Sequence, residues 1–404
     1  MTTPTLTPVK FTTHANLRQR LVLATLTGTP LHVTQIRSNS LKPGLTSAEF
    51  SLLRLLDAVT NGSFFEISVT GTTFLYKPGL ITGDNGKPVR HTLPETCTRG
   101  VSYFLEVLAL PAPFSKAAFH VTLDGGVITA ATDEDQSVDS FRTAYLPLFA
   151  KFDMERNIEL RILKRSAGPT GAGEVQFVHG YQVRLPKTLH LQTPGRVKKI
   201  RGVAYAIGVS AGNNARMIEA ARGVLNRFIP DVYVFSDVAK PQMVPADYGK
   251  EGAFERSGGI MKGRANGAVK KVGVGFGMSL IAETGTGCIY SADATANPSE
   301  PAEDVGKRVA WMLLEEIALG GCVGRSGAMA VLTMMMMGVE GDVGRLVLGK
   351  DIIDQEFVSR LRDMKKIFGS EVGIREQTSN TGGDSNVIVS VVGRGVGNVG
   401  RKLA

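Results

Sequence analysis

The sequence predicts a mixed α/β (α+β) fold of three repeated α/β units, with a smaller α/β domain inserted ahead of the last. Three observations carry this expectation. An amphipathic helix followed by two strands around a glycine-containing turn occurs three times. The first two copies begin 91 residues apart, at 47 and 138, whereas the third begins 215 residues later, at 353. The additional length in that second gap has its own alternation of strands and helices.

In the first copy, Ser47 to Val59 places Phe50, Leu53 and Leu56 on one helical face, with Leu52 and Leu55 beside them. Strands are expected over Phe64 to Val69 and Thr72 to Tyr76, around Gly71. The second copy has its helix over Val138 to Phe152 and strands over Ile158 to Leu163 and Glu174 to Val178; the third runs through Ile353 to Phe368, Val372 to Arg375 and Val387 to Val392. Between them the inserted stretch reads as a strand at Gly202 to Ser210, a helix at Ala215 to Arg227, a strand at Val232 to Phe235 and two strands at Gly273 to Glu283 and Thr286 to Ala292. A helix over Pro301 to Leu319, with Glu303 and Asp304 favourably placed in its first turn, returns the chain to the repeats. The expected division is therefore 1–187 for the first two units, 188–297 for the insert, 298–392 for the return and third unit, and 393–404 for a basic tail. The glycine-rich stretch from Pro241 to Lys271 lacks apolar periodicity and reads as a mobile loop.

Composition narrows the function. A net charge of +9 over 404 residues favours an anionic partner, nucleic acid among them. No apolar run approaches the ~20 residues that cross a bilayer, so no membrane association is expected, and Met1 to Thr13 lacks the apolar core of a secretory signal. Cys97, Cys288 and Cys322 form no CxxC pair, which argues against zinc and for reduced core thiols. Met334 to Met337 reads as adaptable core packing. The GxGxxG match at Gly395 to Gly400 lacks a following helix to complete a phosphate cradle, and Gly273 to Gly277 reads as a strand of small residues.

Several strings, in order along nearly the whole chain, resemble the RNA 3′-phosphate cyclases, and the later ones resemble the eukaryotic cyclase-like branch of that family more than its enzymes. They are Leu17-Arg18-Gln19-Arg20-Leu21, Ile36-Arg37, Lys42-Pro43-Gly44-Leu45, Gly71-Thr72-Thr73, Gly173-Glu174-Val175, Ile200-Arg201-Gly202-Val203-Ala204-Tyr205, Phe228-Ile229-Pro230-Asp231, Glu315-Glu316-Ile317 and Gly320-Gly321-Cys322-Val323. The resemblance implies repeats similar to the C-terminal domain of a bacterial initiation factor. It also implies a nuclear, nucleolar ribosome assembly factor of the small-subunit processome, needed for early pre-rRNA processing toward 18S rRNA. The implied partners are pre-rRNA, processome proteins and a ribosome-assembly GTPase that the protein binds and stimulates; no cofactor is implied.

Departures from the enzymes' pattern weigh against cyclase chemistry. Cyclases use a histidine near the C-terminus as the nucleophile that takes AMP from ATP. Here the six histidines are His14, His32, His91, His120, His179 and His190, so none follows position 190. Gln355, Glu356 and Phe357 stand where the nucleophile is expected, and Thr12, Thr13, His14 and Ala15 replace the enzymes' glycine-rich opening. A retained anion pocket would draw on Arg18, Arg20, Arg37, Lys42 and Arg165, since guanidinium holds phosphate bidentately; each is equally readable as surface charge. On the third helix, Arg362, Asp363 and Lys365 admit three readings: a solvated face of ion pairs, an RNA contact, or an endonuclease site in which Asp363 handles a proton and the cations stabilise phosphate charge. Endonucleolytic cleavage of pre-rRNA is thus the alternative to a purely binding role. The basic run Arg196 to Arg201 reads either as an interdomain linker or as a contact for RNA, an acidic protein or an import receptor.

Overall fold

The computed structural model describes residues 7–84, 86–155, 157–180, 186–250, 268–377 and 386–395. Three four-stranded sheets share one order. The first contains β1 (Val9–Phe11), β2 (Leu31–Val33), β3 (Phe64–Ile67) and β4 (Phe74–Lys77) in the order β1-β2-β4-β3, with the first pair parallel and the others antiparallel. Helices α1 (Leu17–Thr27) and α2 (Ser47–Val59) fill its two crossovers. The second sheet repeats the scheme with β5 (Val89–Leu93), β6 (Phe119–Gly125), β7 (Glu159–Lys164) and β8 (Glu174–His179), in the order β5-β6-β8-β7. Its crossovers carry α3 (Ser102–Ala109) and a helical run that opens with α4 (Val138–Ser140).

The chain then lays down β9 (His190–Leu191) and leaves for another sheet. That sheet contains β10 (Val197–Ile207), β11 (Val232–Ala239), β14 (Gly275–Thr284) and β15 (Ile289–Thr295) in the order β11-β10-β14-β15; a small ribbon pairs β12 (Gln242–Pro245) with β13 (Val269–Val272). Helices α5 (Gly212–Leu225) and α6 (Ala302–Ala318) cover one face. The third sheet follows with α7 (Arg325–Met337), β16 (Val343–Gly349), α8 (Gln355–Phe368), β17 (Val372–Gln377) and β18 (Asn386–Val392), in the order β9-β16-β18-β17.

One apolar cluster spans the three like sheets, from Phe11 to Val391, while a second joins Ile200, Met217, Leu280 and Leu313 within the other sheet. The α6 residues Val305, Val309 and Leu313 belong to this second cluster. Thus the helix expected to return the chain at 298 packs on the insert, and β9, expected inside 188–297, pairs with β16.

Other differences have local causes. The expected helix Val138 to Phe152 is a single α turn followed by a π turn (Phe141–Tyr145) and a 3-10 run (Leu146–Phe152); Pro147 lacks the N–H that a continuous α-helix needs there. The stretch from Pro241 to Lys271 is partly strand, since β12 and β13 pair across it, while residues 251–267 lie outside the described residues. So do residues 396–404, with most of the basic tail and the GxGxxG match. Arg196 to Arg201 is no linker, because β10 begins at Val197. Met334 to Met337 are buried in α7. Among the described residues, no helix is long and apolar enough to cross a membrane, and no group of histidines, cysteines and carboxylates could hold a metal ion.

Candidate functional site

A cleft of about 630 Å³ opens where α1, α3, α7 and α8 approach one another, within the size range of small-molecule sites. Its local construction begins with Arg37, whose backbone is left-handed at φ 45°. The loop beyond it folds back so that Gly44 N–H donates to Ile36 O at 3.0 Å. Gly44, at φ 88°, leaves no room for a Cβ, which would lie 2.3 Å from Thr70 O. Arg37 Nη1 donates to Gly44 O at 3.0 Å, and the guanidinium grips Glu49 at 2.8 and 2.7 Å. Glu49 is also the third helical residue of α2, in a reciprocal cap with Thr46. Burial opposes its ionisation, but the hydrogen bonds from Arg37 and Thr46 outweigh burial and hold the carboxyl below its usual range.

Across the cleft, Arg18 meets Glu106 at 3.0 Å and Asp135 at 3.5 Å. Arg99 grips Asp135 through two bonds of 2.6 Å and also pairs with Glu134. Both guanidiniums face the Tyr103 ring, at 5.0 and 4.3 Å from its centre; burial pushes the Tyr103 hydroxyl up to about 12. Burial likewise raises the Glu106 carboxyl despite Arg18, and burial followed by the Arg37 charge lowers His14. At the start of α8, Asp354 caps Phe357 N–H at 2.7 Å, and Glu356 faces the cleft in an ion pair with Arg360. The position expected for a nucleophile therefore borders the cleft and holds a paired carboxylate.

Five arginines and five carboxylates line this space. Among the described residues, Arg325 is the one lining arginine without a carboxylate in salt-bridge contact. An entering anion would compete with carboxylates for the other four, which weakens the field that draws phosphate in.

Of the five sequence-derived anion candidates, only Arg18 and Arg37 line the cleft. Arg20 is buried and grips Asp363 through Nε at 2.7 Å and Nη2 at 3.2 Å, with Nη1 donating to Thr13 O at 2.7 Å. Arg165 is buried and grips Asp139 at 2.6 and 3.0 Å and Asp237 at 2.6 Å, tying the second unit to β11. Lys42 is exposed on the loop beyond Arg37, away from the cleft lining. The trio Arg362, Asp363 and Lys365 does not converge. Asp363 turns inward, its oxygens taken by Arg20 and by Asn16 Nδ2 at 3.0 Å; Arg362 is exposed; and Lys365 pairs with Glu371 at 2.5 Å. A carboxylate so enclosed is a poor general base. Sequence reasoning missed Arg99 and Arg325, although Gly320 to Gly324 running into α7 marked the approach of Arg325.

These features define a scaffold of three like sheets around an arginine-rich cleft. The family model for RNA 3′-terminal phosphate cyclase matches residues 9–374, and the chain belongs to that family. It is 36% identical over 398 residues to the RNA 3′-terminal phosphate cyclase-like protein of Mus musculus, covering 96% of each chain. It is 38% identical over 388 residues to the rRNA processing protein rcl1 of Schizosaccharomyces pombe, again over 96% of each, and 34% identical over 392 residues to the rRNA processing protein RCL1 of Saccharomyces cerevisiae, with the same coverage.

Proposed function

We propose that this chain is a non-cyclase ribosome assembly factor that acts in rRNA processing by binding. In this reading it works in the nucleolar small-subunit processome, on the route to 18S rRNA, contacting pre-rRNA and processome proteins and stimulating a ribosome-assembly GTPase. One chemical observation carries the non-cyclase part: no histidine follows His190, and the α8 start bordering the cleft presents Gln355, Glu356 and Phe357. None of these can form the phosphoramidate that an imidazole forms with AMP. The names of the two yeast relatives support the rRNA-processing part, and the family resemblance supports the processome and GTPase parts.

The test is incubation of the purified chain with α-phosphate-labelled ATP and a 3′-phosphorylated RNA. The expected result is no label surviving denaturation and no 2′,3′-cyclic end. A covalent adenylate would overturn the reading. For the cellular part, depletion is expected to lower 18S rRNA relative to the large-subunit rRNA, and an unchanged ratio would count against it.

A further inference from the structure

All three cysteines are buried and none belongs to the cleft, but two of them are neighbours. Ile289 and Val323 form a parallel β-bridge. In a parallel pair the preceding residues, here Cys288 and Cys322, also lie side by side with their side chains on one face. Strand spacing puts such positions about 4.8 Å apart, inside the Cα separation that a disulfide spans. Cys288 Sγ donates to Thr193 O at 3.9 Å and lies 3.5 Å from Thr286 Oγ1.

The pair sits at a junction of three parts of the molecule. Cys288 leads into β15 of the inserted sheet. Cys322 N–H donates to Val347 O of β16 at 2.8 Å, and Gly321 bridges Leu348 beside it. Tyr290 of β15 donates its hydroxyl to Gly321 O at 2.6 Å, holding the two segments in register. Lys151, from the second unit, adds positive charge near both sulfurs. The neighbouring Cys322, with the Thr286 and Thr284 hydroxyls and Lys151, lowers the Cys288 thiol against the opposing effect of burial, while the neighbouring Cys288 and burial push Cys322 up. One sulfur is thus disposed to be the attacking thiolate and the other to remain a thiol.

We propose that Cys288 and Cys322 are a reversible modification site, which a hydroperoxide oxidises to a disulfide that fastens the inserted sheet to the third-unit sheet. The Cys288 thiolate attacks the peroxide oxygen; the O–O bond breaks, hydroxide leaves for hydrogen peroxide, and a sulfenic acid forms. Cys322 then attacks the Cys288 sulfur as its thiol proton passes to the departing hydroxide. The S–S bond forms, the S–O bond breaks and one water leaves. The two thiols together surrender two electrons, which reduce the peroxide to water. A thiol reductant reverses the change by exchange.

The test uses the purified full chain treated with hydrogen peroxide, blocked with N-ethylmaleimide under denaturing conditions, digested without reductant and examined by mass spectrometry. The expected product is a linked pair of peptides containing Cys288 and Cys322, lighter by two hydrogens than the free pair, with Cys97 alkylated. Dithiothreitol abolishes the link, Cys97→Ser retains it, and Cys288→Ser removes it. The Cys97→Ser result keeps the test valid if substitution within the pair impairs folding. Recovery of both cysteines fully alkylated after peroxide, or a link involving Cys97 instead, would overturn the proposal.

Discussion

The cleft and the seam between α1 and α8 contain the same chemistry, arginine against carboxylate, yet serve different ends. In the cleft, Arg18, Arg37 and Arg99 keep roughly a quarter of their side-chain surface exposed, so water reaches the arginine end of each pair, although Asp135 and Glu49 beneath them are buried. At the seam, Arg20 and Asp363 are 5% and 6% exposed and join residues 343 positions apart. The Arg20 guanidinium also lies 4.0 Å from the Phe11 ring centre. A partly wet pair can exchange its carboxylate for another anion at small cost, whereas a dry pair is fixed once the chain has folded, because neither ion can be left alone there.

The sharpest way to break this comparison is to remove one seam partner. Asp363→Ala leaves Arg20 buried without its counter-ion and is expected to lower unfolding stability by ~3–5 kcal/mol, read from urea denaturation. Asp363→Leu combined with Arg20→Met is expected to lose less than either single change. A protein whose stability is untouched by Asp363→Ala, but which loses an RNA-cleaving activity, would restore the endonuclease reading.

A buried group without a counter-ion sharpens the contrast from the other side. His179 is 2% exposed, with Nδ1 donating to Gly180 O at 2.7 Å, and burial lowers it from 6.5 to about 4. The unfolded chain binds this proton as the pH falls below about 6.5, while the folded chain resists until about 4. The stability contributed is therefore complete above the unfolded value and is lost as the pH falls through this window, by ~3 kcal/mol in all. Denaturation midpoints between these limits should flatten in His179→Gln.

Smaller effects are expected in the cleft. Glu106→Gln with Asp135→Asn frees Arg18 and leaves Arg99 with Glu134 alone, and should tighten inorganic pyrophosphate binding severalfold, ~1 kcal/mol, by calorimetry; unchanged affinity would mean that the carboxylates do not compete. Arg37→Ala should cost about 1 kcal/mol or less, since Glu49 retains its bonds from Thr46.

The two halves of each unit differed in how visible they were. Helix α2 and the core of α8 showed in the sequence because each buries one face and leaves the other wet. Helices α1 and α7 did not, because Arg20 to Thr25 and Gly327 to Met337 are continuously buried and leave no alternation to detect. The short leading strands β1, β2 and β9 were lost for want of length. Among the site residues, Arg18 and Arg37 were found through their motifs, but nothing in the sequence distinguished them from Arg20 and Arg165.

By itself the sequence determined the family and the missing imidazole, because residue identity alone decides whether a nucleophile exists. It also showed the recurring pattern and its long interruption, since apolar periodicity is a local property. Only the tertiary structure decided which arginine meets which carboxylate, that Asp363 faces inward and that Cys288 lies beside Cys322. These are contacts between distant segments, and the energy of a charge or a thiol depends on the neighbours and the water that folding leaves around it.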